Sequence, residues 1–271
     1  MKNIICLLTA SMFSLCAGVW AADIGMELLP RGRPFRLTFA DPREIRMALG
    51  FQGDDRIDAV VGNYFSLFAI RPVELDPGQT PWMVHFGLEG AGYFTMHKAE
   101  SRFPLQTADG LIGLYTEGSR GPWQFQMRYT HISAHLADGS QGQAPIAYSR
   151  ESWISRVAYL FAENMEVYGG LHLLMHSIPT LPPLTYQAGG SAFFPIRSAK
   201  ISPFAGIDLQ WGPAMPYSPS FNLQLGVALN NPPEAYRSFR FFYDYFTGTD
   251  PRGQFYNRAY TSHSFGIEMQ I

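Results

Sequence analysis

Between Pro122 and His135 apolar and polar side chains alternate without a break. Trp123, Phe125, Met127 and Tyr129 fall on one side and Gln124, Gln126, Arg128 and Thr130 on the other, the period of two that marks a strand with one apolar face. Beyond Tyr129 the apolar row changes chemistry and continues as His131, Ser133 and His135. Similar alternation predicts strands near 45–51, 60–70, 84–89, 111–117, 122–135, 153–161, 167–176, 184–194, up to 211, 221–229, 236–246 and 264–271, about twelve in all. Before them, residues 22–43 are broken by Pro30, Pro34 and Pro42 and carry no clean period; they read as an N-terminal periplasmic segment or a plug, leaving 44–271 for the strands.

Two architectures accept such strands. A soluble sandwich buries the apolar face, whereas a membrane barrel turns it to lipid and keeps a polar interior. Connection lengths separate them. If both ends of the barrel are periplasmic, every even-numbered connection should be short, and all but the second, the 72–81 linker, read as turns of a few residues. The odd ones are mostly longer and more polar. The expected fold is therefore all-β, an antiparallel transmembrane β-barrel of about twelve strands in the outer membrane. Its last strand, with Phe265, Ile267, Met269 and Ile271 on one face, looks like the signal read by the barrel-insertion machinery.

The start of the chain gives the same address. Lys2 precedes an apolar run, 4–19, closed by Val19-Trp20-Ala21, which predicts a signal peptide over 1–21 cleaved after Ala21. The run is short for a membrane span of ~20 residues, and no later stretch is long and apolar enough for one. Cys6 and Cys16 both lie in the leader, so the mature chain relies on no disulfide and has no thiol nucleophile or thiolate metal site. Loss of Lys2 leaves 19 basic against 22 acidic residues, too near neutral to point to a nucleic-acid partner.

The predicted inner face carries Glu89, Arg128, Arg156, Asp208, Arg240, Asp244 and Glu268. Mixed signs would pair across the lumen and fill it; the alternative is a narrow small-solute channel. His172 and His176, four apart on one strand face, would stand roughly 13 Å apart, too far for one metal ion, and so would His131 and His135.

His131 and Ser133 are different. Two apart on one face, roughly 7 Å between Cα atoms, they let an imidazole act as base for a hydroxyl. By parity both face lipid, where the strand enters the long polar loop 136–149, so a nucleophile there would meet the ester bonds of outer-leaflet lipids. A His and a Ser at a membrane rim are also ordinary interfacial residues. The residues thus leave open an integral barrel of unassigned activity or a serine-dependent lipid acyl hydrolase.

Tyr129-x-His131-x-Ser133, with Ser152-Trp153 and Ala162-Glu163-Asn164, resembles the active-site strands of outer-membrane phospholipase A. The resemblance implies a twelve-stranded barrel with His131 as base and Ser133 as nucleophile, an Asn on the next strand orienting the His, and calcium completing the oxyanion site in a homodimer. The chain departs from that pattern in having Ile154 in place of the Asn, His135 in place of a Gly, and a longer external loop; Glu151 or Ser155 are the candidates to orient His131. A closer resemblance covers nearly all the mature chain. Ala40-Asp41-Pro42-Arg43, the strand from Gly121 to Asp138, Tyr168-Gly169-Gly170 and Asp250-Pro251-x-Gly253-Gln254-Phe255-Tyr256 look like an uncharacterised family of exported bacterial proteins, a domain of unknown function, which implies a barrel and no activity.

Overall fold

The structure, a computed structural model, describes residues 24–53, 55–75, 78–140, 142–229 and 238–270. The predicted leader, 1–21, lies outside the described residues. Thirteen strands make one antiparallel sheet: β1 (Ile24–Leu28), β2 (Met47–Gln52), β3 (Arg56–Pro72), β4 (Trp82–His97), β5 (Leu105–Arg120), β6 (Trp123–Leu136), β7 (Ser149–Ala162), β8 (Met165–Ile178), β9 (Leu184–Phe193), β10 (Ile201–Trp211), β11 (Ser220–Leu229), β12 (Ser238–Thr249) and β13 (Ala259–Gln270). From β2 to β13 each strand pairs with the next in chain order, and β13 pairs back onto β2. Twelve strands therefore close a barrel, the architecture the alternation predicts. β1 is an addition the sequence pattern does not show, a short strand paired to the end of β3 from Phe68 to Pro72.

The wall is inside out relative to a water-soluble protein. Gln126, Glu117, Asn222, Gln224 and Glu268 are among the fully buried side chains, while Val61, Phe65, Ile112, Leu114 and Phe265 are each more than half exposed on the outside. Connection lengths follow the expected alternation only in part. Two-residue turns join β5 to β6 and β7 to β8, but the eighth connection, 194–200, includes a 3-10 turn, and the first, 53–55, is tight because β3 begins at Arg56 rather than near Val60.

The interior is built around residues 33–46, which lie inside the ring. Three of their apolar side chains each seed a buried cluster: Phe35 with Ala158 and Tyr168, Phe39 with Phe193, Phe204 and Phe242, and Ile45 with Tyr64, Tyr93, Leu111 and Tyr115. Phe39 meets Phe193 and Phe204 edge-on at centroid distances of 5.6 and 5.0 Å, a favoured aromatic arrangement. The wall makes room for it: a Cβ on Gly206 would overlap the Phe39 ring. The strands bring most of these apolar side chains, scattered among polar inward neighbours, and the segment without period joins them into clusters by placing Phe35, Phe39 and Ile45 between them.

Candidate functional site

Two polar constellations stand out, one inside the barrel and one outside. Inside, Arg128 Nε donates to Glu89 Oε2 at 2.8 Å, and Arg240 pairs with Glu268. Arg156 turns to the inner segment instead, pairing with Asp41 and, at 3.2 Å, with Glu44. Arg33 grips Glu117 through two hydrogen bonds of 2.9 and 2.6 Å, and Arg43 reaches Asp109 at 3.0 Å. Asp208 accepts from Tyr168 and Gln187, and Asp244 from Asn222 and Gln224. Glu89, Arg128, Arg156, Asp208, Arg240, Asp244 and Glu268 each have a side-chain partner on the inner side of the wall. Burial works against the charge on Asp41 and Glu44, but the Arg156 guanidinium, together with hydrogen bonds from Arg43 N–H and Gln187 to Asp41 and the charges of Arg128 and Arg33 near Glu44, outweighs it and holds both carboxyls below their usual range.

Outside, the register sets His131 on β6 directly opposite Glu151 on β7, and Glu151 opposite His176 on β8. His131 Nδ1 lies 2.9 Å from Glu151 Oε1, and His176 Nδ1 lies 2.6 Å from Oε2 of the same carboxylate. All three are partly exposed, Glu151 least, with a side chain 21 % exposed. A carboxylate accepts from both rings, so Nδ1 of His131 carries the proton and Nε2 is left as the free basic nitrogen. Ser133 sits two residues further along the same outer face, opposite Ser149, whose hydroxyl lies 3.4 Å from Glu151 Oε1. On its other side Ser133 faces Gly110, where a Cβ would be 3.9 Å from Ser133 Oγ, so that flank of the hydroxyl is uncovered. Among the described residues no hydrogen bond joins Ser133 to His131.

Of the two candidates to orient His131, Glu151 makes the contact. Ser155, further down the same face, instead accepts from Trp153 Nε1 at 3.2 Å. Ile154 points inward opposite Arg128, so an Asn at that position would not reach the outer face.

The expectation that His172 and His176 share a face is corrected. A bulge shifts the register so that Glu151 opposes His176 while Ser152 opposes Leu174. One extra residue reverses the parity beyond it, leaving His172 inside, bonded to Gln187 at 2.9 Å, and His176 outside. That shift brings His176 to Glu151, a contact strict alternation forbids. Calcium, with its six to eight oxygen ligands, does not fit the residues that one chain offers at Ser133. Both Glu151 oxygens are engaged by histidines, and the other side-chain oxygens beside them are two neutral hydroxyls, so no step is routed through the ion.

The fold and its two constellations define a class: a closed twelve-strand antiparallel barrel, apolar outside, filled by its own N-terminal segment. Residues 10–270 match the family described as "Protein of unknown function (DUF1207)", and the chain belongs to that family. No curated protein matches it.

Proposed function

We propose that the chain is an integral barrel of the outer membrane, exported and cleaved after Ala21, that hydrolyses acyl esters of outer-leaflet lipids at Ser133. The carrying observation is the 2.9 Å contact that gives His131 an orienting carboxylate on the outward face beside Ser133. The belt of exposed apolar side chains supports a lipid environment, because such area in water would be strongly unfavourable. The filled lumen speaks against a small-solute channel, since Arg156 and the inner segment occupy it.

In this reading Ser133 Oγ attacks the ester carbonyl while His131 Nε2 takes its proton. Glu151 holds the tautomer and stabilises the imidazolium. The C–O bond of the ester breaks, and the alkoxide leaves with the proton from His131. Water, deprotonated in turn by His131, then cleaves the acyl-Ser133 ester and frees a fatty acid. The Ser133–His131 hydrogen bond forms by side-chain rotation as the ester seats, a tightening common between free and occupied sites.

The test is acyl-chain release from phospholipid and from lipopolysaccharide by the refolded barrel, with and without calcium, beside Ser133→Ala. Release that vanishes in the variant supports the reading. No release from either lipid in either condition overturns it and leaves His131 and Ser133 as rim residues.

A further inference from the structure

We propose that a chamber inside the barrel, beneath the connections 212–219 and 250–258, binds a small oxyanion of the phosphate class through Arg128, Thr130 and Arg150. The chamber has a volume of about 150 Å³ and all three residues line it. Arg128 and Thr130 are successive inward positions on β6, and Arg150 lies on β7 opposite Ile132, one inward step beyond Thr130. Their reach therefore converges from adjacent strands on one space.

Each of the three brings a buried polar atom that has no hydrogen-bond partner among the described residues: Arg128 Nη2, Thr130 Oγ1 and Arg150 Nε. A buried polar group left unbonded is costly, so an arrangement that keeps three around one space calls for an occupant. The type of atom says which. The larger chamber near Arg33 also has unpartnered donors, Arg33 Nη1 and Arg240 Nε, but carries unpartnered acceptors beside them, Glu166 Oε2 and Glu268 Oε2. Water, which both donates and accepts, can bridge such a mixed set. Around the Arg150 chamber two of the unpartnered atoms are guanidinium nitrogens that only donate, the third is a hydroxyl, and no unpartnered carboxylate oxygen lines it among the described residues. A water there would have both its hydrogens to place; a phosphate presents mostly acceptor oxygens and carries negative charge.

Charge agrees. Arg128 is matched by Glu89, Arg156 by Asp41 and Glu44, Arg43 by Asp109, and Asp250 by Arg252. Arg150 has no ion pair among the described residues; its guanidinium lies over the rings of Tyr148 and Tyr256, at 4.9 and 5.9 Å. Counted together these five cations and five carboxylates balance, and Arg150 is the one cation among them that no carboxylate contacts among the described residues, so its guanidinium is the group left to meet a ligand. The space corresponds to about five waters at ~30 Å³ each, enough for a phosphate group with a water or two and too little for a nucleotide or sugar.

Titration calorimetry on the full-chain barrel in detergent, with inorganic phosphate at constant ionic strength, is the test. The expected result is saturable binding at one site, weakened at least roughly tenfold by Arg150→Gln and by the near-isosteric Thr130→Val. Circular dichroism and heat-modifiable gel mobility confirm that each variant is folded. A parallel titration with short-chain phosphatidic acid identifies the source of the group: binding of both probes assigns a lipid phosphate that enters the chamber, and binding of inorganic phosphate alone assigns a free ion. No saturable heat in the wild type, equal binding in folded Arg150→Gln or Thr130→Val, or chloride binding as strong as phosphate would each overturn the proposal. Acyl release plays no part in the readout, so the hydrolase reading and this site stand or fall separately.

Discussion

The inner lattice around Arg156 and the outer row through Glu151 are both polar groups in unusual places, and they differ in what is left unused. Arg156 is almost fully buried, satisfies Asp41 and Glu44 together and also bonds Gln187 and Gln126. Its groups are consumed by folding. Outside, Glu151 engages two histidines, but each ring keeps a second nitrogen and Ser133 keeps its hydroxyl, half open to the surroundings. Polar residues alone therefore say little about function; a saturated set holds a segment in place, while a set with one oriented base and one uncommitted hydroxyl can do chemistry.

Variants can break that contrast. The largest expected effect is that of Ser133→Ala, a loss of at least ~10³-fold in acyl release with melting behaviour unchanged. Next comes Arg156→Met, which strands two carboxylates in the lumen and should cost about 3–5 kcal/mol in urea unfolding while sparing the outer row. Glu151→Gln should lower kcat about 10²-fold, because the imidazolium loses its counter-charge, and should leave stability within ~0.5 kcal/mol, the exposed row being weak in structural terms.

The pH dependence of unfolding sharpens the contrast further. Asp41 and Glu44 have carboxyls held below their unfolded range, so their stabilisation is complete above the ordinary carboxylate pKa of ~4 and is lost as pH falls through the depressed values. In Arg156→Met the burial that opposed their charge is no longer outweighed, and the loss should begin above pH ~4. Smallest is His176→Ala: it removes only the second ring on Glu151, and acyl release should change within about threefold. A large loss there would mean that His176, not His131, is the ring that matters.

Most of the wall was legible because a barrel strand repeats one rule. Each residue faces outward or into the lumen, so a count of two along Trp123 to His135 assigns the sides of β6 without knowledge of its neighbours. The same rule placed His131 and Ser133 outward and Arg128 inward. It failed at the bulge, where Met175 and His176 both face out, because an inserted residue is a property of two paired strands and leaves no mark on either alone. It was silent on residues 33–46, whose irregular spacing is suited to filling a space that other elements define.

The sequence by itself therefore determined the twelve strands of the ring, the inside-out wall and the juxtaposition of His131 with Ser133, since all three depend on neighbours along one chain. Tertiary structure alone decided that Glu151 meets His131, that Asp41 and Glu44 meet Arg156 from 115 and 112 residues away, and that Arg150 faces a chamber with Thr130. Those contacts cross between strands or between wall and filling. They are set by register and ring closure, quantities that exist only once the sheet has closed on itself.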